Sequence, residues 1–264
     1  MTVSELGITD KMVFRRTNEH SGRHISITPE NSSMHHLAYG RIVLNSAKTT
    51  ESFSTGDRET GFICLSGRAV VVVEKKQIEI GQYDAVYVPR DSAMSITTNT
   101  NVDIAEVSSD VSNRYPLQVV RAAEISNDPK LDYNTGGPGC TRHIRMLLGK
   151  NIEAGRLLAG ITQAESGNWT SWPPHEHAAM LEEIYIYFDM PAPAYGIQLV
   201  YSDNEEPELV TLVRDGDAVP IPKGYHPNVS VPGHRICFLW AMAAHREVVD
   251  RQYGVVNVEP GFKA

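Results

Sequence analysis

The chain has 264 residues, 41% of them apolar, and sets 24 Lys and Arg against 32 Asp and Glu for a formal charge of −8. The acidic balance excludes a broad nucleic-acid surface, and the apolar share suits one large or two small domains with buried cores. No run of about eighteen apolar residues occurs, so no membrane span is expected. Met1-Thr-Val-Ser-Glu-Leu-Gly-Ile8 lacks a basic head and an apolar core, and Cys64, Cys140 and Cys237 form neither a close pair nor a zinc spacing. Reduced thiols and a cytoplasmic location follow as expectations.

Residues 1–22 are polar and read as irregular, with Phe14-Arg-Arg16 and His20-Ser-Gly22 as candidate edge contacts. Short β-branched runs then follow at His24–Thr28, Leu37–Leu44, Thr60–Leu65, Arg68–Glu74, Gln77–Ile80 and Ala85–Val88, punctuated by Gly, Asp, Asn or Pro. That texture predicts an all-β protein, an antiparallel sandwich or barrel. Pro116–Ile125 is ambiguous between strand and a turn of helix, and Asn127–Gly139 collects the Asn, Asp, Pro and Gly of a linker. Strands resume at Thr141–Leu148, Arg156–Gln163, Gly196–Tyr201, Leu209–Val213, Ala218–Ile221 and Ile236–Met242. Asp84–Ala93 matches Asp217–His226 position for position at an offset of 133, and Glu59–Leu65 resembles the strand entered at Glu183. The repeat divides the chain into an N-terminal barrel (1–126), a linker (127–140) and a C-terminal barrel (141–264).

The chemistry concentrates in the second copy, around Trp172-Pro-Pro-His-Glu-His177 and Leu181-Glu-Glu-Ile-Tyr-Ile-Tyr-Phe188. Alternate side chains of an extended segment share a face, so His175 and His177 can grip one divalent ion. The same alternation puts Glu183, Tyr185 and Tyr187 on one face and Glu182, Ile184, Ile186 and Phe188 on the other. A polar barrel interior takes the first set, which favours Glu183 over Glu182 as the carboxylate ligand. His226, in Pro222-Lys-Gly-Tyr-His-Pro227, is the expected fourth ligand from a separate strand. Three imidazoles and a carboxylate suit one zinc or manganese ion, with iron also compatible, and leave one or two coordination positions open. The first copy has Ala93 in place of His226 and no His-x-His in Phe53–Arg58, so it is expected to serve as a packing partner.

His-x-His, then Glu, then Gly…Pro…Gly…His resembles the two motifs of a cupin barrel. Gly167–His177, Leu181–Tyr185, Gln198–Asp203 and Pro222–Pro227, with a single residue between Gly224 and His226, resemble the family of 5-deoxy-glucuronate and 5-keto-4-deoxyuronate isomerases. The His177-to-Glu182 connection is shorter than that resemblance leads one to expect. The resemblance implies two tandem cupin barrels, a homo-oligomer, and metal-dependent aldose–ketose isomerisation of a small anionic sugar, 5-deoxy-glucuronate foremost. Tyr185, Tyr187 and His143 are the candidate proton-transfer residues. Arg142, Arg145 and Lys223 are candidates for holding the substrate carboxylate, and Gln198 and Tyr201 match the family's Gln-x-Val-Tyr pattern. The same ligand set also serves isomerases of other anionic sugars, iron dioxygenases and sugar-binding bicupins.

Overall fold

The computed structural model describes residues 12–262. Its first half runs β1 (Gly22–Ile27), β2 (Leu37–Leu44), β3 (Thr50–Ser54), β4 (Arg58–Gly67), β5 (Ala69–Val73), β6 (Lys76–Ile80), β7 (Ala85–Val88), β8 (Ala93–Thr97), β9 (Val102–Asp110) and β10 (Gln118–Val120). One helical turn, α1 (Ala122–Ile125), and β11 (Asp132–Thr135) lead into β12 (Arg142–Leu148), β13 (Leu157–Ala164), β14 (Trp169–Thr170), β15 (His175–Glu176) and β16 (Leu181–Tyr187). The chain closes with β17 (Gly196–Val200), β18 (Leu209–Val213), β19 (Ala218–Ile221), β20 (Asn228–Ser230), β21 (Cys237–Ala244) and β22 (Asn257–Val258).

Each half is a six-stranded sheet facing a four-stranded one. The first pairs β1-β2-β9-β4-β7-β10 with β3-β8-β5-β6, and the second pairs β11-β12-β13-β21-β16-β19 with β14-β20-β17-β18. The ladders are antiparallel throughout, so the architecture is the expected pair of tandem cupin barrels. The two large sheets pack against each other through Leu37, Tyr39, Ile63, Leu65 and Val107 on one side and Leu147, Ile161, Ile184 and Ile186 on the other. Burying such side chains stabilises by about 1.5–3 kcal/mol each. The approach is close enough that a Cβ on Gly61 would come within 2.5 Å of Leu148 Cδ1.

Two glutamates clasp the barrels together reciprocally. Glu182 accepts the backbone N–H groups of His35, His36 and Leu37 at 2.6–2.7 Å, at the entry to β2. Glu59 accepts those of Gly155, Arg156 and Leu157 at 2.6–2.8 Å, at the entry to β13, and the Tyr87 hydroxyl at 2.6 Å. The pairing of β4 with β7 and of β16 with β19 aligns Thr60↔Val88 with Glu183↔Ile221. Glu59 is therefore the counterpart of Glu182, and Thr60, Phe62 and Cys64 occupy the inward positions of Glu183, Tyr185 and Tyr187. This corrects the expected match of Glu59 with the strand start at Glu183 by one residue.

Two further expectations change. The segment 127–140 is not purely a linker, because β11 pairs residue for residue with β12, Asp132↔Arg145 to Thr135↔Arg142. Residues 14–17, counted with the first barrel by the sequence, are stitched to the second. Phe14 bridges Ala218, Thr17 N donates to Gly216 O at 2.7 Å, and Arg15 meets Asp217 at 2.6 Å. Residues 141–264 expressed alone lose that edge strap, β11 and the whole apolar partner face. The fragment is expected to aggregate or bind a hydrophobic dye, as light scattering and dye fluorescence would report.

Candidate metal centre

The interior of the first barrel is filled by Phe62, Cys64, Val71, Val86, Met94 and Ile96. Ala93, the sequence counterpart of His226, is exposed there. The second barrel differs in kind. On β16 the inward residues are polar, and each finds a partner. Tyr185 OH and Ser171 Oγ lie 2.5 Å apart, and Tyr187 OH donates to Gln198 Oε1 at 2.5 Å. Asn228 Nδ2 bonds both Tyr187 OH and Gln198 Oε1, and Thr170 donates to Asn228. Gln198 Nε2 in turn donates to His226 O at 3.0 Å, which braces the segment carrying that histidine. These groups form the floor of the site.

On that floor His177, Glu183 and His226 converge, all buried, with one ligand atom from each within 4.8 Å of the others. Glu183 Oε2 stands 3.1 Å from His177 Nε2 and 3.2 Å from His226 Nε2. The turn that delivers His226 requires Gly224, whose φ is +95° and whose Cβ position lies 2.9 Å from Tyr201 O. His226 Nδ1 faces Gly224 O at 2.8 Å, His177 Nδ1 faces Leu181 O at 3.1 Å, and His175 Nδ1 faces Pro173 O at 2.9 Å. A carbonyl oxygen only accepts, so each Nδ1 carries its proton and, in the neutral ring, each Nε2 presents a lone pair. In that form the lone pairs of His177 and His226 point at a carboxylate oxygen, which also only accepts. A positive species between them resolves the conflict, and His226 Nε2 is a buried nitrogen with no hydrogen-bond partner. The residues fit a divalent metal ion, in the arrangement where backbone carbonyls fix the histidine tautomers.

The same pull toward a positive species shows in the electrostatics of the side chains. Burial lowers His177, but the hydrogen bond and charge of Glu183 outweigh it and raise the imidazole above its ordinary value. Burial opposes ionisation of Glu183, but hydrogen bonds from His177 and His226 outweigh it and pull its carboxyl down to about 2. Burial, with His226 and His177 nearby, pushes His175 down to about 4, so it stays neutral at pH 7 and its lone pair is free. The His175 ring flanks the cluster at 5.0 Å from the His226 ring, centroid to centroid, although its ligand atom lies outside the group of three.

Above the cluster lie two connected spaces. An inner one of about 80 Å³ is bounded by Glu183, Tyr185, Ser171, His175, Trp240 and Tyr253. An outer one of about 320 Å³ is bounded by Tyr133, Arg142, Trp172, His177, Tyr253 and the C-terminal segment. A larger cleft of about 670 Å³ lies on the first barrel among Arg68, Asp84 and Arg121, but it holds none of these ligands.

The model of the KduI/IolB family matches residues 12–256. The chain belongs to that family. The 5-deoxy-glucuronate isomerase of Geobacillus kaustophilus is 26% identical over 240 residues, 84% of either chain. An IolB-like protein of Salmonella typhimurium superposes with a TM-score of 0.85 at 22% identity, covering 96% of this chain and 98% of its own. Bacillus subtilis oxalate decarboxylase, a bicupin with Mn(II) centres, superposes at 0.64 with 16% identity, covering 94% and 79%.

Several expected site residues of this KduI/IolB chain lie elsewhere. Arg142 and Ile144 face the pocket, so alternation turns His143 and Arg145 to the opposite face of β12. There His143 Nε2 pairs with Asp132, and Arg145 bonds Asp132 at 3.1 Å and lies over the Tyr83 ring. Neither reaches the site. Tyr187 and Gln198 are sealed beneath the floor, Tyr201 OH donates to Glu259 at 2.7 Å, and Lys223 is exposed. Arg142 keeps its place, with its guanidinium bonded to Cys140 O and Trp172 O at 3.0 Å and no ion-pair partner among the described residues. Tyr133, Ser171, Trp240 and Tyr253 line the pocket without having been expected there. Tyr253 arrives on the polar tail, which returns to the site because β22 pairs with β15, His175↔Val258. No local sequence signal announces that return.

Proposed function

We propose that this chain is a metal-dependent aldose–ketose isomerase of an acidic sugar, converting 5-deoxy-glucuronate to 2-deoxy-5-keto-gluconate. The relatives' activity supports the substrate. The observation that carries the reading is the convergence of two histidine nitrogens on one buried carboxylate, beneath a pocket that holds an arginine with no ion-pair partner among the described residues. A divalent ion held by His177, Glu183 and His226, with His175 beside them, would supply Lewis acidity toward a carbonyl oxygen. Zinc, manganese and iron(II) all suit that donor set.

The chain's own residues do the rest. The Arg142 fork, which borders both spaces, receives the substrate carboxylate and directs the carbonyl end toward the cluster. Tyr185 is pushed well above the ordinary phenol range, by burial first and then by the charge of Glu183. Its hydroxyl, 2.5 Å from Ser171 Oγ, serves as a hydrogen-bonding group at the inner space. Trp172 borders the outer space and meets the exposed Phe262 edge to face at 5.1 Å.

The test is to incubate metal-replete protein with 5-deoxy-glucuronate in deuterated water and follow the ketose by NMR. Product formation that a chelator stops and added zinc or manganese restores is the expected result. Failure to isomerise any acidic sugar would overturn the reading. Arg142→Met is expected to raise KM roughly 10–100-fold with a smaller change in kcat, since a charge-assisted pair contributes about 1.5–3 kcal/mol. Steady-state kinetics would check this.

A further inference from the structure

Five residues border both the inner and the outer space: Arg142, Ile144, His175, Met242 and Tyr253. They form the neck between the cluster and the mouth. A sugar acid with its carboxylate on Arg142 and its carbonyl end over the His177–Glu183–His226 cluster passes these residues. Of the five, Tyr253 is the one uncharged hydroxyl. Arg142 has been assigned to the carboxylate, and His175 flanks the ligand cluster.

The placement of Tyr253 is built into the fold. Its ring stacks on Trp240, with centroids 5.0 Å apart and planes 18° from parallel. The indole has room on β21 because residue 160 of the neighbouring strand is glycine, where a Cβ would come within 2.2 Å of Trp240 Cζ2. The chain is anchored on both sides of the tyrosine. The Arg251 guanidinium donates to Leu157 O at 2.8 Å and to Gly149 O at 2.6 Å, and Glu259 N donates to Pro174 O at 2.9 Å. The hydroxyl neighbours that of Tyr133, which also borders the outer space. A phenol offers one donor and can accept as well, so it can pass a hydrogen bond on to a substrate oxygen.

We propose that Tyr253 is a catalytic residue of this isomerase, its hydroxyl donating a hydrogen bond to the substrate oxygen that takes on negative charge as the carbonyl migrates. The donor is fixed in place before substrate arrives, as electrostatic stabilisation of a developing oxyanion requires. No covalent bond forms to the tyrosine. The proposal rests on the isomerase reading above, because it needs the reacting carbons over the His177–Glu183–His226 cluster.

Tyr253→Phe keeps the ring, its stack on Trp240 and the tail, and removes only the donor. In full-length, metal-loaded protein it is expected to lower kcat by about 10²-fold, with KM within about threefold. Metal content and the circular dichroism spectrum should match wild type. A kcat within about twofold of wild type, or a loss explained wholly by KM or metal content, would overturn the role of Tyr253. Wild-type protein inactive on every acidic sugar would instead overturn the isomerase reading, and this assignment with it.

Discussion

Replacing His226 by Ala is expected to lower turnover by about 10³-fold or more, because metal stabilisation of a developing oxyanion is worth several kcal/mol and each 1.36 kcal/mol is tenfold in rate. The side chain is buried and braced on both sides, by its own Nδ1 on Gly224 O and by Gln198 on its backbone carbonyl. His177→Ala should behave alike. Both variants should stay folded, since the cores between and within the barrels are apolar and do not depend on the cluster. Kinetics beside a thermal melt would check both halves of this expectation, and a variant retaining a tenth or more of wild-type activity would contradict it.

The second large effect falls one residue from a ligand. Glu182→Ala removes the acceptor for three backbone N–H groups at the barrel interface, and Glu59→Ala removes its counterpart for three more and for Tyr87 OH. An orphaned buried donor costs about 1–3 kcal/mol, so each substitution is expected to destabilise by roughly 3–5 kcal/mol after relaxation and water entry. That corresponds to a fall in Tm of about 10 °C for a protein of this size. Chemical denaturation would measure it. The expected pattern is asymmetric, with Glu182→Ala losing stability and Glu183→Gln losing activity. Equal stability losses in the two would mean that the adjacent carboxylates do not divide the work this way.

Much of this was legible where period-two alternation was strong. The β16 run placed Glu183, Tyr185 and Tyr187 together and turned Glu182 away, which the structure reproduces, and β2, β7, β19 and β21 stand where apolar runs predict them. Strand β9 escaped because Asp103 and Glu106 interrupt its apolar pattern. Their partners are Arg41 and Arg23, more than sixty positions away in sequence, and nothing local says the charges are paired. Strands β3 and β8 lie on the outer sheet with alternating exposure, too polar to read as strands. For β12 the alternation was plain but its parity was not. Only the pairing with β13 decides that Arg142 enters the pocket while His143 and Arg145 turn to Asp132. Tyr253 depended on a tail returning across the whole second barrel, a contact fixed by tertiary pairing alone.

The most direct measurement is the metal content of purified protein, read by elemental analysis for wild type, Glu182→Gln and Glu183→Gln side by side. If His177, Glu183 and His226 hold the ion, wild type and Glu182→Gln should carry close to one divalent ion per folded chain, and Glu183→Gln should carry far less. Equal metal in all three proteins, or none in metal-supplemented wild type, would contradict the assignment of the centre.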